Sequence, residues 1–127
     1  MINITIIGQF KEIDGEGFPS IHDLISEKPV NGKDTVLRHL ENAPVIAAAS
    51  GIMRDEISGE LIPSQMLMHC DGDYRWRSDL IHYFKTYNFI LPQDFIDHAL
   101  DWKMTKTQEA WEKEVQERVM EYWGDGK

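Results

Sequence analysis

The densest group of chemically capable side chains in this sequence is the run His69-Cys70-Asp71-Gly72-Asp73. A cysteine thiolate beside an imidazole can act as a nucleophile or as a metal ligand. Successive residues of a β-strand point to opposite faces, however, so we do not expect the side chains of His69 and Cys70 to meet. The run is more typical of a turn between two strands, with Asp71-Gly72 as the turn residues.

Metal binding by this run is not expected. A structural zinc site usually needs four ligands from spaced Cys and His pairs, and Cys70 is the only cysteine. A calcium loop of the EF-hand type that starts at Asp71 would need a glutamate at its twelfth position, where the chain has His82. We therefore predict no metal site and no cofactor.

Other catalytic signatures are also missing from the sequence. Gly15-Glu16-Gly17 lacks the third glycine of a dinucleotide site, and we find no P-loop and no Gly-x-Ser-x-Gly elbow. The remaining histidines belong to no HExxH motif and are more typical of structural or surface positions: His22, His39, His82 and His98. We predict no catalytic residues and a protein that is not an enzyme.

Length and cysteine content bound the class of protein. A chain of 127 residues fits one domain, residues 1–127, in which the last helix (about residues 105–123) either packs on the core or extends from it. A single cysteine is typical of a reducing compartment. The N-terminus lacks the features of a signal peptide, and no apolar run approaches the ~20 residues that span a bilayer. We expect a cytoplasmic protein.

The formal net charge of -9 narrows the choice of partner. Affinity for phosphates depends on Lys and Arg, so we expect no nucleic-acid partner and no anionic membrane partner. A basic protein is compatible, because complementary charge speeds encounter and suppresses wrong partners. Acidity that serves only solubility is the alternative. We expect a monomer or a weak dimer.

The periodicity of apolar residues predicts strands first and helices later. A strand is predicted from Ile2 towards Phe10, and a buried strand is predicted at Val45 to Ser50. A hairpin is predicted at Met53 to Ile62 around a tight Ser58-Gly59 turn. Two further strands are predicted at Gln65 to Cys70 and at Tyr74 to Trp76. A loop is predicted at Lys11 to Pro19, with a short helical turn after Ser20. Helices are predicted at Lys33 to Asn42, after Ser78 as a cap, after Pro92, and from Thr105 or Thr107 to about Trp123.

Because strands and helices are segregated, we predict the α+β class. The expected architecture is an antiparallel sheet of about four to five strands packed by three to five helices. The helices should be concentrated in the C-terminal half.

One continuous pattern carries a family resemblance. Residues 71–80 read DGDYRWRSDL, and the pattern continues through Tyr83, Tyr87-Asn88 and Leu91-Pro92. With the alanine-rich strand and the hairpin, it resembles small bacterial immunity proteins of contact-dependent growth inhibition and polymorphic toxin systems over about residues 2–102. The resemblance implies a cytoplasmic inhibitor that binds its cognate toxin and blocks the toxin's active site or access to its target. Many such toxins are basic nucleases.

A protein-binding inhibitor is therefore the predicted function, and its contact residues are chosen for charge and expected exposure. Three lie on the hairpin and four around the Asp-Gly turn and the following helix start: Asp55, Glu56, Glu60, Asp71, Asp73, Trp76 and Asp79. Two alternatives stay open. One is an adaptor or regulatory module, and the other is an enzyme that uses His69 with the Asp71/Asp73 pair in a concave pocket.

Overall fold

The computed structural model describes residues 3–125. Its main sheet has four strands and is mixed. The strands are β1 (Thr5–Ile6), β2 (Val45–Ala49), β3 (Met53–Arg54), β4 (Leu61–Ile62), β5 (Met66–Cys70) and β6 (Tyr74–Arg77). The sheet order is β1-β6-β5-β2, while β3 and β4 form a separate hairpin. Strand β1 runs parallel to β6, and the other neighbouring pairs are antiparallel.

Five helices accompany these strands within the described range. They are α1 (Lys11–Asp14), α2 (Lys33–Asn42), α3 (Ser78–Tyr87), α4 (Gln93–Asp101) and α5 (Gln108–Asp125). Three of them follow β6, so the predicted α+β class and the C-terminal concentration of helices are confirmed. The sheet is mixed rather than wholly antiparallel, because alternation of side chains along the first strand does not encode which strand it joins or in which direction.

Helices α2, α3 and α4 bury their apolar stripes in one core with the sheet. Val36 and Leu40 lie one turn apart on α2 and are fully buried, as the i, i+4 spacing predicts. Trp76 of β6 is also fully buried, and its indole Nε1–H donates to the carbonyl of Leu40 at 3.2 Å. That bond satisfies the polar atom of a ring that the core otherwise encloses.

Helix α5 belongs to this core and does not project from it. Trp111, Val115 and Val119 recur every four residues and are almost fully buried, while Trp123 is 46% exposed. The hydroxyl of Thr107 accepts from the N–H of Ala110 at 3.1 Å and caps the helix. Among the described residues, none of the helices has the length and apolar character required to cross a membrane.

Several local predictions are confirmed. Helix α2 spans the predicted residues, and Asn88 ends α3 in the left-handed conformation. Ser20 caps a 3₁₀ turn at Ile21–Asp23 by accepting from the N–H of His22. Gly72 follows Asp71 with φ of +113°, a conformation that favours glycine in the predicted turn between β5 and β6.

Other local predictions are wrong. The first strand is only two residues long among those described, Ile2 lies outside them, and α1 occupies part of the predicted loop. Six residues separate β3 from β4, so the hairpin turn is not a two-residue turn. Ser78 is the first residue of α3 rather than its cap, because its hydroxyl bonds Leu67 N–H and the carbonyl of Gln65 at the end of the sheet.

Strand β2 departs most from its prediction. Its uncharged sequence predicts a buried strand against which a helix packs. Helix α5 does contact β2, but the strand lies at the edge of the sheet, with Ala47, Ala48 and Ala49 exposed and Val45 43% exposed. Composition alone does not distinguish a central strand from an edge strand that has been left without protective charges.

Candidate functional site

A buried carboxylate organises the turn between β5 and β6. Oδ1 of Asp71 accepts hydrogen bonds from the N–H groups of Asp73 at 2.9 Å and Tyr74 at 2.8 Å. Its Oδ2 lies 2.8 Å from Nε2 of His39 and 2.8 Å from Nε2 of His98. We call Asp71, His39 and His98 the Asp71 cluster. An ionised carboxylate only accepts hydrogen bonds, so each imidazole presents an Nε2–H to it.

Three separate elements bring the Asp71 cluster together. His39 lies on the buried face of α2, three residues after Val36 and next to Leu40. His98 lies on α4, three residues after the buried Phe95. The turn after β5 carries Asp71 to the point where both helices meet the end of the sheet. The side chains of Asp71 and His39 are 0% and 4% exposed, and that of His98 is 20% exposed.

An aromatic shell encloses the cluster. The ring of His39 lies with its centroid 4.9 Å from that of Trp102 and 6.0 Å from that of Trp111. On the other side, the ring of Tyr74 lies 4.9 Å from that of His98. The indole N–H of Trp111 donates to the backbone carbonyl of Asp71 at 3.2 Å, so α5 closes this end of the sheet. Little water reaches the carboxylate, and its hydrogen bonds are correspondingly strong.

The hydrogen bonds decide the charge state of the cluster. Burial alone would raise the pKa of Asp71, but the bonds from His39, His98 and two backbone N–H groups hold it well below its usual range. The bond to Asp71 raises the pKa of His98 above its ordinary value, and burial opposes this rise. The carboxylate is therefore ionised at neutral pH, and His98 keeps its second proton to a higher pH than an isolated histidine does.

A cavity of about 300 Å³ borders the cluster on the side of His39. Its wall includes the indoles of Trp102 and Trp111 and the exposed side chain of Arg38. The Nε1–H of Trp102 is buried and has no hydrogen-bond partner among the described residues. The cavity thus combines aromatic and polar side chains, with the cation Arg38 and the unpaired donor of Trp102 among its lining residues.

His69 and Cys70 do not join this cluster. Nδ1 of His69 lies 2.8 Å from the carbonyl oxygen of Ala43, and the imidazole stacks on Trp76. Burial lowers the pKa of His69 and raises the pKa of the Cys70 thiol to about 11. The thiol is therefore protonated at neutral pH and is a poor nucleophile. Among the described residues, His69 makes no hydrogen bond to the side chain of Asp71 or Asp73, although it does line a groove of about 640 Å³ together with residues of α5.

A second buried carboxylate repeats the design of Asp71 at the other end of the sheet. Oδ1 of Asp55 accepts from the N–H groups of Ile57 at 2.8 Å and Ser58 at 3.0 Å. Its Oδ2 accepts from the hydroxyl of Tyr87 at 2.8 Å and lies 2.7 Å from Nε2 of His82. We call Asp55, His82 and Tyr87 the Asp55 cluster. It fastens the turn of the β3-β4 hairpin to helix α3.

Lowering the pH should reduce the stability of the fold, because the carboxylate of the Asp55 cluster loses its charge. Burial alone would raise the pKa of Asp55, but the bonds from His82, Ser58, Tyr87 and Ile57 lower it from 3.8 to about 2. A group with a depressed folded-state pKa stabilises the fold above its unfolded pKa and loses that contribution as the pH falls through the folded value. We expect the ionised side chain of Asp55 to contribute about 1 to 2 kcal/mol to the free energy of unfolding at neutral pH, where the lower figure allows for solvent screening.

This prediction is measured as a difference between two proteins. Urea unfolding of wild type and Asp55→Asn from pH 7 to pH 2 should show a stability gap that is constant above about pH 5 and narrows towards pH 2. Glu56→Gln, at the adjacent exposed position, should show no such narrowing. A gap between wild type and Asp55→Asn that does not change with pH would contradict the assignment.

The expected exposure of the seven candidate contact residues is wrong for four of them. Asp55 and Asp71 are each 3% exposed, Asp79 is 6% exposed and Trp76 is fully buried. Their polar atoms serve the fold: Asp79, for example, accepts from Nε of Arg77 at 3.2 Å. Acidic and aromatic residues at turns can be surface contacts or structural anchors, and their types alone do not separate the two. The other three are exposed, namely Glu56, Glu60 and Asp73.

Sequence reasoning missed the Asp71 cluster. His39 and Asp71 are 32 residues apart, and His98 follows Asp71 by 27 residues. One signal was present in the sequence, since His39 lies between Val36 and Leu40 on the apolar stripe of α2. A histidine on a core-facing stripe needs a buried partner. Which residue supplies that partner depends on how α2, α4 and the β5-β6 turn pack.

The free edge of β2 is the second notable feature. Residues Ala47, Ala49, Met66 and Met68 line a shallow groove of about 190 Å³ on the open side of this part of the sheet. The charged residue in its lining, Arg77, is held by Asp14 through bonds of 2.7 and 3.0 Å. The edge and the adjoining face therefore present apolar side chains and unpaired backbone groups to solvent.

An acidic groove continues from the start of this edge. Its volume is about 640 Å³, and it lies between the segment that leads into β2 and helix α5. Glu41, Glu109 and Glu112 line it together with one cation, Lys113. All four side chains are exposed. The groove therefore places negative charge beside the first residues of β2.

Comparison with models of protein families, with characterised proteins and with solved structures finds no match to this chain. The function of its sites is accordingly argued from their geometry and charge.

Proposed function

We propose that this chain is a non-catalytic, protein-binding inhibitor that accepts a strand of a basic partner along the free edge of β2. The observation that carries the proposal is the character of that edge. Strand β2 is five residues long, uncharged and largely exposed. Such an edge offers a row of unpaired N–H and C=O groups to which an extended segment can bind.

Proteins that use an edge strand only for folding usually protect it. Charged side chains, proline, a covering helix or a very short strand prevent other chains from pairing there. The run Val45 to Ala49 contains no charge and no proline, and the bulge at its start leaves Ala47, Ala48 and Ala49 regularly paired with β5. An unprotected edge of this length supports a role in binding.

Charge supports a basic partner in particular. The chain carries a formal net charge of -9, and the acidic groove of Glu41, Glu109 and Glu112 adjoins the start of β2. A second copy of this chain carries the same net charge of -9, which disfavours self-pairing. Lysine or arginine residues next to the incoming strand would meet the groove.

The more specific form of the proposal is an immunity protein that neutralises a cognate bacterial toxin. Support comes from the resemblance of about residues 2–102 to that class, from the acidity and from the open edge. An adaptor or regulatory module would use the same contacts, so the two differ in what binding does to the partner. An immunity protein abolishes a toxic activity at a one-to-one ratio, whereas an adaptor leaves the partner active.

Site-specific photo-crosslinking in the native host tests the proposal. A benzophenone amino acid is placed at Ala48, on the edge, and in a control protein at Ala110, an exposed alanine that lines neither groove. Capture of one basic protein from position 48 and not from position 110 supports the proposal, and purified partner then shows whether its activity is blocked. Capture of a second copy of this chain, or of no protein, would overturn it.

A charge on the edge should weaken this complex selectively. We expect Ala48→Lys to reduce affinity for the captured partner by more than about 10-fold, because lysine is the residue that natural proteins use to prevent edge pairing. Its free energy of unfolding should change by no more than about 0.5 kcal/mol, as for most exposed substitutions. Isothermal titration and urea unfolding measure the two effects.

Two further comparisons sharpen this result. Ala110→Lys adds the same charge elsewhere and should leave affinity within about twofold of wild type. The corresponding change in binding free energy is well under the roughly 1.4 kcal/mol of a tenfold change in affinity. Charge reversal at Glu56, Glu60 and Asp73 tests the exposed residues that the sequence nominated as contacts. If Ala48→Lys and Ala110→Lys bind equally well, the partner does not use the edge of β2.

A further inference from the structure

We propose that the Asp71 cluster binds a first-row divalent transition-metal ion through Nε2 of His39, Nε2 of His98 and Oδ2 of Asp71. One ligand atom from each of the three residues lies within 4.8 Å of the other two, and both Nε2 atoms lie 2.8 Å from Oδ2 of Asp71, although the residues come from α2, α4 and the β5-β6 turn. The inference is independent of the edge of β2 and does not rest on the proposed inhibitor function.

The donor set selects the kind of ion. Two imidazole nitrogens and one carboxylate oxygen suit Zn²⁺, Fe²⁺, Co²⁺ or Ni²⁺, whereas Ca²⁺ and Mg²⁺ prefer oxygen ligands alone. Two histidines and one carboxylate on one face of an ion are a known arrangement that leaves other coordination positions open. The cavity of about 300 Å³ beside His39 provides space for further ligands such as water.

The distances fit such an ion after a small adjustment. Both imidazole nitrogens lie 2.8 Å from Oδ2 of Asp71. Two ligand atoms that each lie about 2.1 Å from a metal ion are about 3 Å apart when the ligand–metal–ligand angle is a right angle. They are about 3.4 Å apart when that angle is tetrahedral. The two separations from Oδ2 are therefore closer to the right-angle value, and the ligand atoms of His39 and His98 lie within 4.8 Å of each other. On binding an ion, each imidazole would coordinate through an unprotonated Nε2 and carry its one remaining proton on Nδ1, and an imidazole that was cationic would release its second proton to solvent.

The surroundings hold the ligands in place. Oδ1 of Asp71 is engaged by the N–H groups of Asp73 and Tyr74, which leaves Oδ2 directed at the two imidazoles. Groups behind a ligand that fix its orientation are a regular part of metal sites. The ion has a path to the site, because the side chain of His98 is 20% exposed and His39 borders the cavity.

The Asp55 cluster provides a matched control inside the same chain. It has the same turn geometry and a buried carboxylate, but its Oδ2 is shared by one imidazole and the phenol of Tyr87. A phenol that keeps its proton is a poor metal ligand compared with an imidazole. We therefore expect the Asp71 cluster to bind metal and the Asp55 cluster not to bind it.

The test uses tag-free protein treated with a chelator and titrated with Zn²⁺ by calorimetry and with Co²⁺ by absorption and tryptophan fluorescence. Trp76, Trp102 and Trp111 lie with ring centroids within 6.0 Å of that of His39, so bound Co²⁺ should quench much of the emission. We expect one ion per chain. His39→Gln and His98→Gln keep a donor to Asp71 but should weaken binding more than about 100-fold, since even second-shell changes cost 10- to 100-fold.

The control His82→Gln should bind the ion as wild type does. No saturable binding to wild type, or equal binding by wild type and His98→Gln, would overturn the proposal. Circular dichroism first establishes that each variant folds. Should a glutamine variant fail to fold, the imidazole NMR signals of wild type decide: Zn²⁺ must shift those of His39 and His98 and leave those of His82 in place, and any other pattern rejects the site.

Discussion

Asp71→Ala should lower the free energy of unfolding by about 3 to 5 kcal/mol, one of the two largest effects that we expect from a single buried side chain. The substitution removes four hydrogen bonds, two from backbone N–H groups of the β5-β6 turn and two from imidazoles. It leaves His39 almost fully buried without its partner. Because an unpaired buried polar group retains its full desolvation cost, the loss exceeds the net value of the bonds.

Urea unfolding at pH 7 measures this loss, and two variants test its cause. Asp71→Asn keeps the shape of the side chain and one acceptor oxygen for the two backbone N–H groups, but it replaces the charge and Oδ2 with an NH₂ donor, so its stability should fall between wild type and Asp71→Ala. Asp73→Ala changes an exposed carboxylate in the same turn that contacts Arg118 at 3.1 Å, and it should cost less than about 1 kcal/mol. Equal losses from Asp71→Ala and Asp73→Ala would show that the Asp71 cluster does not anchor the turn.

Trp76→Ala should destabilise the protein by a similar amount, about 3 to 5 kcal/mol. The indole is fully buried and packs edge-on against Phe95 with ring centroids 5.4 Å apart. Its removal leaves a large cavity between the sheet and α4 and deprives the carbonyl of Leu40 of its 3.2 Å hydrogen bond. A loss of this size is a large fraction of the 5–15 kcal/mol that typically stabilises a domain.

Trp76→Phe separates the packing of the aromatic ring from its hydrogen bond to Leu40, and Trp123→Ala is the control at an exposed tryptophan. The phenylalanine variant retains an aromatic ring but not the bond to Leu40, so its loss should be distinctly smaller than that of alanine. Trp123 is 46% exposed and lies 5.5 Å from the guanidinium of Arg75, so its removal should cost no more than about 1 kcal/mol. If Trp76→Ala kept full stability and lost only partner affinity, the residue would be a contact rather than part of the core.

The shared arrangement of Asp55 and Asp71 explains why acidic charge was a poor guide to which side chains are exposed. Each carboxylate closes a turn with one oxygen and receives an imidazole Nε2 at the other. The protein thus uses part of its negative charge inside the fold. The acidic residues that remain free for a partner include those on α2 and α5 beside β2, which no motif in the sequence distinguishes from an ordinary solvated helix face.

Local patterns in the sequence were sufficient to determine most elements of this fold. The apolar spacing on α2, the left-handed stop at Asn88 and the Asp71-Gly72 turn each depend on residues a few positions apart. Their energetics are local, so the sequence predicts them directly. The α+β class follows from their order along the chain.

Tertiary structure alone decided which residues meet. The parallel pairing of β1 with β6, the edge position of β2, the burial of Asp55 and Trp76, and the Asp71 cluster all depend on contacts between distant segments. A strand shows the same residues whether it is central or at an edge, and a histidine on a core-facing stripe does not name its partner. The Asp71 cluster depends on how α2, α4 and the β5-β6 turn pack, and the burial of Asp55 depends on how α3 packs against the β3-β4 hairpin. No single stretch of sequence contains these contacts.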